Sequence, residues 1–263
     1  MNRIDEKFKA LAEAGKKAFI AFITSGDPSL EDTARFARVL EENGVDILEL
    51  GVPFSDPVAE GPTIAAASER ALRGGVKTDD IFKMAEALRQ TTDMPILFML
   101  YINSIYAYGK EKFFENCAAA GVDGVIVPDL PFEEKDEIEG DAEKHGLYSI
   151  RLIAPTSRER AGKIAEGARG FIYAVSVAGV TGVRREFNTD FAGFSAGIKE
   201  KAAVPAAVGF GIKDAATAKE LAAYFDGVII GSAFVDLIGR HGADAGGGIA
   251  ELARSVRRAL DRQ

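Results

Sequence analysis

The chain has 263 residues, of which 47% are hydrophobic, and its formal net charge is −8. This length suits one large domain or two small ones, and it is the usual size of a (β/α)8 barrel. The acidic balance argues against a general nucleic-acid surface, which needs a basic patch. The negative net charge suits a cytoplasmic protein. An anionic substrate would then need hydrogen-bond donors close to its binding site.

The side chains that often carry redox or metal chemistry are scarce. The one cysteine, Cys117, excludes an internal disulfide, and its helical context predicts a small buried side chain. His145 is expected at a helix end and His241 in a Gly-rich turn, and neither has a neighbour pattern typical of metal ligands. The chain starts without the apolar core of a signal peptide, and no apolar stretch approaches the roughly 18 residues of a membrane span. We therefore expect neither a metal site nor a membrane helix.

Helices and strands alternate from the start of the chain. Residues 3–15 predict an amphipathic helix, and residues 18–24 predict a continuous apolar strand. Ser29 is predicted to cap the next helix, which runs to Glu42 and stops at an Asn-Gly pair. The same strand and helix unit then repeats along the chain.

The strands predicted from this repetition are apolar along most of their length. They span residues 18–24, 46–50, 95–101, 124–127, 148–153, 170–175, 204–209 and 227–230. Continuous apolar strands indicate burial on both faces, which is typical of parallel sheets. Repeated β/α units in a chain of this length predict a TIM barrel with an extra N-terminal helix, formed as a single domain by residues 1–263. An open doubly wound sheet is the alternative.

One carboxylate, Glu49, interrupts the apolar strand at residues 46–50. A charge in a buried strand costs free energy unless it is paired or protonated. Glu49 lies near the C-terminal end of the strand, where TIM barrels have their active sites. We therefore expect Glu49 to have a raised pKa and to transfer protons near neutral pH. A structural carboxylate that accepts a loop N–H is the alternative.

Other polar side chains lie at the same predicted mouth of the barrel. Tyr101 and Tyr173 end two of the strands, and two acids follow Glu49 in a Gly/Pro loop. Asp56 precedes a proline, which is a common turn element. Glu60 precedes a predicted helix start, where negative charge is favourable in any protein. Structural and functional roles both stay open for these two acids.

Glycines follow the last three strands, in the segments AGVTG (178–182), GFGI (209–212) and GSA (231–233). Glycines let backbone N–H groups approach an anion, and a helix N-terminus favours negative charge. The pattern predicts a phosphate site, while the lack of a Walker-type lysine argues against nucleoside triphosphate hydrolysis. The loop at 178–190 is expected to form a lid, with a plain solvated loop as the alternative.

Residues 48–64, LELGVPFSDPVAEGPTI, closely resemble the signature of the tryptophan synthase alpha subunit family. The similarity extends through FITSGDP (22–28), YIN (101–103), VPDLP (127–131), IAP (153–155), GVTG (179–182), GFGI (209–212) and GS (231–232). The resemblance implies a carbon–carbon lyase of tryptophan biosynthesis. Its reaction is the retro-aldol cleavage of indole-3-glycerol phosphate to indole and glyceraldehyde 3-phosphate.

The resemblance also implies roles for individual residues. Glu49 matches the principal acid and base, which protonates C3 of the indole ring and takes the proton of the glycerol hydroxyl. Glu60 stands where the family usually has an aspartate that stabilises the charged ring nitrogen, a departure of one methylene. The remaining matches are Phe22, Tyr101, Ile153 and Tyr173 around the indole ring, Gly182, Gly211, Gly231 and Ser232 in the phosphate cradle, Thr181 in the lid, and Asp56 and Pro57 in the loop that meets the partner.

The implied partner is a tryptophan synthase beta subunit in an alpha2beta2 complex. Pyridoxal phosphate is expected only on that partner, so the alpha chain itself needs no cofactor. Three alternatives stay open. They are a phosphosugar isomerase or epimerase on the same barrel, a free-standing indole-3-glycerol phosphate lyase, and a catalytically weak subunit that mainly activates the beta chain.

Overall fold

The computed structural model describes residues 2–175, 190–209 and 211–262. Its strands are β1 (Ala18–Thr24), β2 (Ile47–Gly51), β3 (Ile96–Met99), β4 (Gly124–Ile126), β5 (Tyr148–Ser149), β6 (Arg151–Ile153), β7 (Ile172–Val175), β8 (Ala206–Gly209) and β9 (Gly227–Ile230). They form one sheet in the order β5-β4-β3-β2-β1-β9-β8-β7-β6, and the neighbouring strands pair in parallel.

The two ends of this sheet are consecutive pieces of chain. Only Ile150 separates β5 from β6, and β5 pairs with β4 while β6 pairs with β7. The sheet therefore closes on itself as a barrel, and the strand predicted at 148–153 spans the closing point. All the strands predicted from sequence are present, and the predicted TIM barrel is confirmed.

Helices surround the barrel. They are α1 (Arg3–Glu13), α2 (Leu30–Glu42), α3 (Pro62–Arg73), α4 (Thr78–Arg89), α5 (Ile102–Tyr108), α6 (Lys110–Ala119), α7 (Glu139–Lys144), α8 (Arg158–Ala165), α9 (Phe191–Lys199), α10 (Ala215–Ala222), α11 (Ser232–His241) and α12 (Gly246–Leu260). The predicted cap of α2 is confirmed, because Ser29 Oγ accepts the N–H of Asp32 at 3.0 Å. The sequence did not predict α5, whose residues include few strong helix formers. Gly109, with a φ of 94°, separates α5 from α6.

Side chains of the strands alternate between two apolar cores. In β1, Phe19 and Ile23 pack outward in the core shared with the helices, while Ile20 points into the barrel. This alternation follows the strand period of two residues. In β2 it places Ile47 in the barrel interior, and therefore directs Glu49 inward as well. The barrel geometry thus accounts for the burial of the carboxylate.

The N-terminal helix closes the end of the barrel away from the strand C-termini. Its buried residues Ile4, Phe8 and Leu11 belong to the interior core, and the Phe8 and Phe171 rings lie 5.5 Å apart. The helix thus fills the interior at this end, and the cavity described below lies at the opposite, C-terminal mouth. The predicted extra N-terminal helix is therefore confirmed as a plug.

A buried ion pair network braces the plugged end. Asp123 is 3% exposed and accepts hydrogen bonds from Arg3 and Arg89, each at 3.0 Å, and from the Ile96 N–H at 2.8 Å. One carboxylate thus links α1, α4 and β3. This network stabilises the N-terminal end of the barrel, opposite the C-terminal ends of the strands.

Candidate active site

Glu49 lies in the wall of the barrel, and its Cα is in register with Phe22 of β1 and Leu97 of β3. Its side chain is fully buried, and neither carboxyl oxygen has a hydrogen-bond partner among the described residues. Burial raises the pKa of Glu49 from 4.5 to about 8. The carboxyl is therefore protonated at neutral pH. Within the described ranges, no loop N–H supports the alternative of a structural carboxylate.

Glu60 lies in the loop between β2 and α3 and is partly buried. Its Oε2 atom is buried and has no hydrogen-bond partner in the described part of the chain. Burial raises the pKa of Glu60 from 4.5 to about 7. Burial thus raises the pKa of both acids toward the neutral range.

Both carboxyls line one cavity at the C-terminal mouth, with an empty volume of about 580 Å³ that includes the part open to solvent. The other residues of its lining are Phe22, Ala59, Ile64, Met99, Pro128, Tyr173, Gly211, Ile212, Ile229, Gly231 and Ser232. Apolar and aromatic side chains thus surround two acids. Such a cavity suits a flat apolar ring with one or two polar atoms.

Glycines make room for the two aromatic rings of the cavity. A Cβ on Gly51 would lie 2.5 Å from Cζ of Phe22, and a Cβ on Gly209 would lie 2.5 Å from the hydroxyl oxygen of Tyr173. Burial raises the pKa of Tyr173 well above its ordinary value, and the nearby charge of Glu49 adds to this effect. Phe22 and Tyr173 therefore lie where the sequence predicted them, beside the buried acid.

Three residues of the predicted phosphate cradle, Gly211, Gly231 and Ser232, lie together in the cavity lining. Gly231 precedes α11 and makes no side-chain cap, so the first-turn N–H groups of α11 are available to an anion. Gly211 has a φ of 77°, a conformation that favours glycine. The fourth predicted member, Gly182, lies outside the described residues, as do the predicted lid residue Thr181 and the lid at 178–190 except for its last residue.

Two residues predicted to surround the indole ring do not line the cavity. Ile153 is fully buried in the core between strands and outer helices, whereas its neighbour Leu152 packs against the barrel interior. The ring of Tyr101 stacks on Phe54 with centroids 5.0 Å apart, and its hydroxyl oxygen accepts the Ala59 N–H at 3.0 Å. The structure places Ile153 in the core and Tyr101 against the β2–α3 loop, and their places around the indole ring stay predictions.

The predicted partner-facing residues lie on the outer part of the same loop. Asp56 is exposed, Pro57 is partly exposed, and the neighbouring Val58 is 73% exposed. None of the three belongs to the cavity lining. The loop thus presents Ala59 and Glu60 to the cavity and an acid and an apolar side chain to the outside.

Several lining residues were not predicted as site residues: Ala59, Ile64, Met99, Pro128, Ile212 and Ile229. Strand periodicity provides a signal for two of them, because Met99 lies two residues after the inward-facing Leu97 and Ile229 faces the interior from β9. Pro128 lies two residues after the end of β4, in the VPDLP segment. Ile64 lies in α3, and Ala59 and Ile212 depend on the course of loops, which periodicity does not describe.

The histidines lie away from this cavity, as expected. His145 caps the C-terminus of α7 and His241 ends α11, and neither belongs to the lining. In residues 2–175, 190–209 and 211–262, no three His, Cys, Asp or Glu side chains form a group that could hold a metal. None of the described helices combines the length and hydropathy that a membrane crossing requires.

A buried protonated acid, a second, partly buried carboxyl and an apolar cavity at the strand C-termini define an acid–base enzyme on a TIM barrel. Residues 8–261 match the family model described as tryptophan synthase alpha chain. The chain belongs to the tryptophan synthase alpha chain family.

Individual relatives agree with this assignment. The chain is 48% identical over 240 residues to the tryptophan synthase alpha chain of Thermoanaerobacter sp., covering 91% of this chain and 92% of the relative. It is 44% identical over 261 residues to that of Lacticaseibacillus casei, covering 99% and 96%. The predicted family is confirmed, and the isomerase or epimerase alternative is wrong.

Solved structures show the same similarity. The crystal structure of the tryptophan synthase alpha chain from Legionella pneumophila subsp. pneumophila superimposes with a TM-score of 0.91 at 38% identity, covering 100% of this chain and 98% of that one. A chain from the tryptophan synthase a2b2 complex of Pyrococcus furiosus superimposes with a TM-score of 0.85 at 34% identity, covering 92% and 98%.

Proposed function

We propose that this chain cleaves indole-3-glycerol phosphate to indole and glyceraldehyde 3-phosphate, in the last stage of L-tryptophan biosynthesis. The observation that carries the proposal is Glu49, a fully buried carboxyl without a hydrogen-bond partner among the described residues and with a pKa of about 8. An acid in this state can protonate carbon in an apolar cavity at neutral pH.

The proposed reaction uses the Glu49 carboxyl twice, first as an acid and then as a base. The Glu49 carboxyl protonates C3 of the indole ring, which gives an indolenine with a positively charged ring nitrogen. The Glu49 carboxylate then takes the proton of the adjacent glycerol hydroxyl, and the oxygen forms the aldehyde carbonyl. The electron pair of the broken C–C bond returns to the ring and neutralises the nitrogen. Glu49 ends protonated, so the cycle consumes no water and no other proton.

Glu60 is proposed to stabilise the cationic ring as a carboxylate. Its pKa of about 7 leaves much of it ionised at neutral pH, and a positive ring nearby lowers this pKa further. The difference in burial supports the division of roles, since the proton donor is fully buried and the stabilising anion is partly buried. Glutamate replaces the expected aspartate, so the carboxylate chemistry is retained with a longer reach.

The phosphate of the substrate is proposed to bind at Gly211, Gly231 and Ser232. These residues lie in the same cavity lining as the two acids, and the first turn of α11 offers its N–H groups there. Gly182 and Thr181 are proposed to complete the cradle and the lid. Phosphate binding at this end would direct the indole ring toward Phe22 and Tyr173.

The proposed partner is a tryptophan synthase beta subunit in an alpha2beta2 complex, which carries the pyridoxal phosphate while this chain needs no cofactor. The similarity to a chain of the Pyrococcus furiosus a2b2 complex supports the partner. The exposed side chains of Asp56, Pro57 and Val58 beside Glu60 supply a surface next to the site. Cytoplasmic location is part of the same proposal.

Indole release from indole-3-glycerol phosphate tests the function, with the purified chain alone and with a beta subunit. We expect indole in both assays and a higher turnover with the partner. No indole in either assay would contradict the proposal. Full turnover alone, unchanged by the partner, would identify a free-standing lyase. Negligible cleavage combined with strong activation of the partner's serine condensation would identify a regulatory subunit.

A further inference from the structure

The loop that carries Glu60 has little backbone support of its own. Within the described ranges, residues 54–60 make no backbone–backbone hydrogen bond. Ser55, Asp56 and Val58 are exposed. A loop of this kind does not hold a carboxylate in one position unless side chains fix it.

Tyr101 supplies two contacts to this loop, one near each end. Its ring stacks on Phe54, with an interplanar angle of 27° and centroids 5.0 Å apart. Its hydroxyl oxygen accepts the N–H of Ala59, at 3.0 Å, and Ala59 directly precedes Glu60. The two contacts therefore hold the loop at its first residue, Phe54, and at Ala59, the residue before Glu60.

Tyr101 is itself firmly held. It is 2% exposed and precedes α5, and the N–H of the next residue, Ile102, donates to Asp129 Oδ1 at 3.0 Å. Burial raises the pKa of the Tyr101 hydroxyl, and the charge of Glu60 adds to the rise, which is expected for neighbouring groups. A rigid residue at the end of β3 thus fixes a loop that lacks internal support.

We propose that Tyr101 is a positioning residue, which holds the β2–α3 loop so that the Glu60 carboxyl faces the ring nitrogen of the substrate. This inference rests on the proposed function. The cavity lining contains Ala59 and Glu60 but not Tyr101, which agrees with a role exerted through the loop. Tyr101 acts through the loop, without touching the reacting atoms.

Tyr101→Phe tests the proposal, because it keeps the ring that stacks on Phe54 and removes the acceptor of the Ala59 N–H. We expect kcat to fall about tenfold, the factor that corresponds to one lost hydrogen bond. In a Glu60→Gln background the same substitution should change kcat less than about twofold, because the carboxylate that Tyr101 positions is absent. An equal loss in both backgrounds would contradict the positioning role. Tyr224→Phe, a half-exposed tyrosine outside the cavity lining, is the matched control and should leave kcat unchanged.

Hydrogen exchange of the ligand-free chain gives a readout that does not depend on turnover. In Tyr101→Phe, the amide of Ala59, whose N–H loses its acceptor, should exchange about tenfold faster, while the amides of the barrel strands keep their protection. Unchanged exchange in the loop would overturn the inference even if the chain cleaves the substrate. Faster exchange in a chain that releases no indole would contradict the proposed function and leave the loop contact supported.

Discussion

The burial of Glu49 predicts a pH-dependent stability that Glu49→Gln removes. The carboxyl has a pKa of about 8 in the folded chain, against an ordinary value of 4.5 in the unfolded chain. At a pH between these two values, the Glu49 carboxyl is protonated in the folded chain and ionised in the unfolded chain. Linkage then requires that stability is full below pH 4.5 and falls as the pH rises to about 8.

The size of the effect follows from the same two values. The Glu49 contribution falls by about 1.4 kcal/mol for each pH unit in this window, which amounts to about 3 kcal/mol between pH 4.5 and pH 7. The glutamine of Glu49→Gln does not ionise. Glu60 is present in both wild type and Glu49→Gln, so its own titration cancels in the difference between them. The free energy of unfolding of Glu49→Gln, minus that of wild type, should therefore grow by about 3 kcal/mol over that interval.

Urea unfolding followed by far-UV circular dichroism measures this difference, since the chain has no tryptophan for fluorescence. Both proteins are unfolded at several pH values from 5 to 8 at one ionic strength. Glu6→Gln, at an exposed position of α1, is the control and should differ from wild type by a constant amount. A constant difference for Glu49→Gln as well would refute the argument from burial.

Two other substitutions test Glu60 and the ion pair network at the N-terminal end of the barrel. Glu60→Asp keeps the carboxylate, so kcat for indole release should stay within about tenfold of wild type; a complete loss would show that the pocket depends on the longer side chain. Asp123→Asn leaves the largely buried Arg89 without its charge partner, so the free energy of unfolding at pH 7 should fall by about 3 kcal/mol. A loss under about 1 kcal/mol in urea unfolding would show that the network contributes little.

The fold was predictable because its strands are continuous apolar runs, and a barrel wall buried on both faces requires such runs. The same property limited the prediction of the site. In a strand such as β6, both Leu152 and Ile153 are apolar, so the pattern does not say which of them faces the interior. The place of Ile153 beside the indole ring came from the family resemblance instead, and it stays a prediction.

The environments of Glu49 and Glu60 differ in how far they could be predicted from the sequence. Glu49 was identified because a lone carboxylate in an apolar strand has no structural explanation, and its raised pKa follows from burial alone. The partial burial of Glu60 depends on how its loop folds back, which is set by the contacts of Tyr101 with Phe54 and Ala59. Those contacts join distant parts of the chain, so local pattern could not reveal them.

The most direct test of the account is the turnover of Glu49→Gln on indole-3-glycerol phosphate, measured with substrate binding in the same preparation. Glutamine keeps the shape of the side chain and cannot protonate C3 or take the hydroxyl proton. We predict that kcat falls by at least about a hundredfold, at the lower end of what a general acid–base group contributes, while substrate binding and fold are retained. Turnover within about tenfold of wild type would contradict the central claim that Glu49 carries the proton transfers.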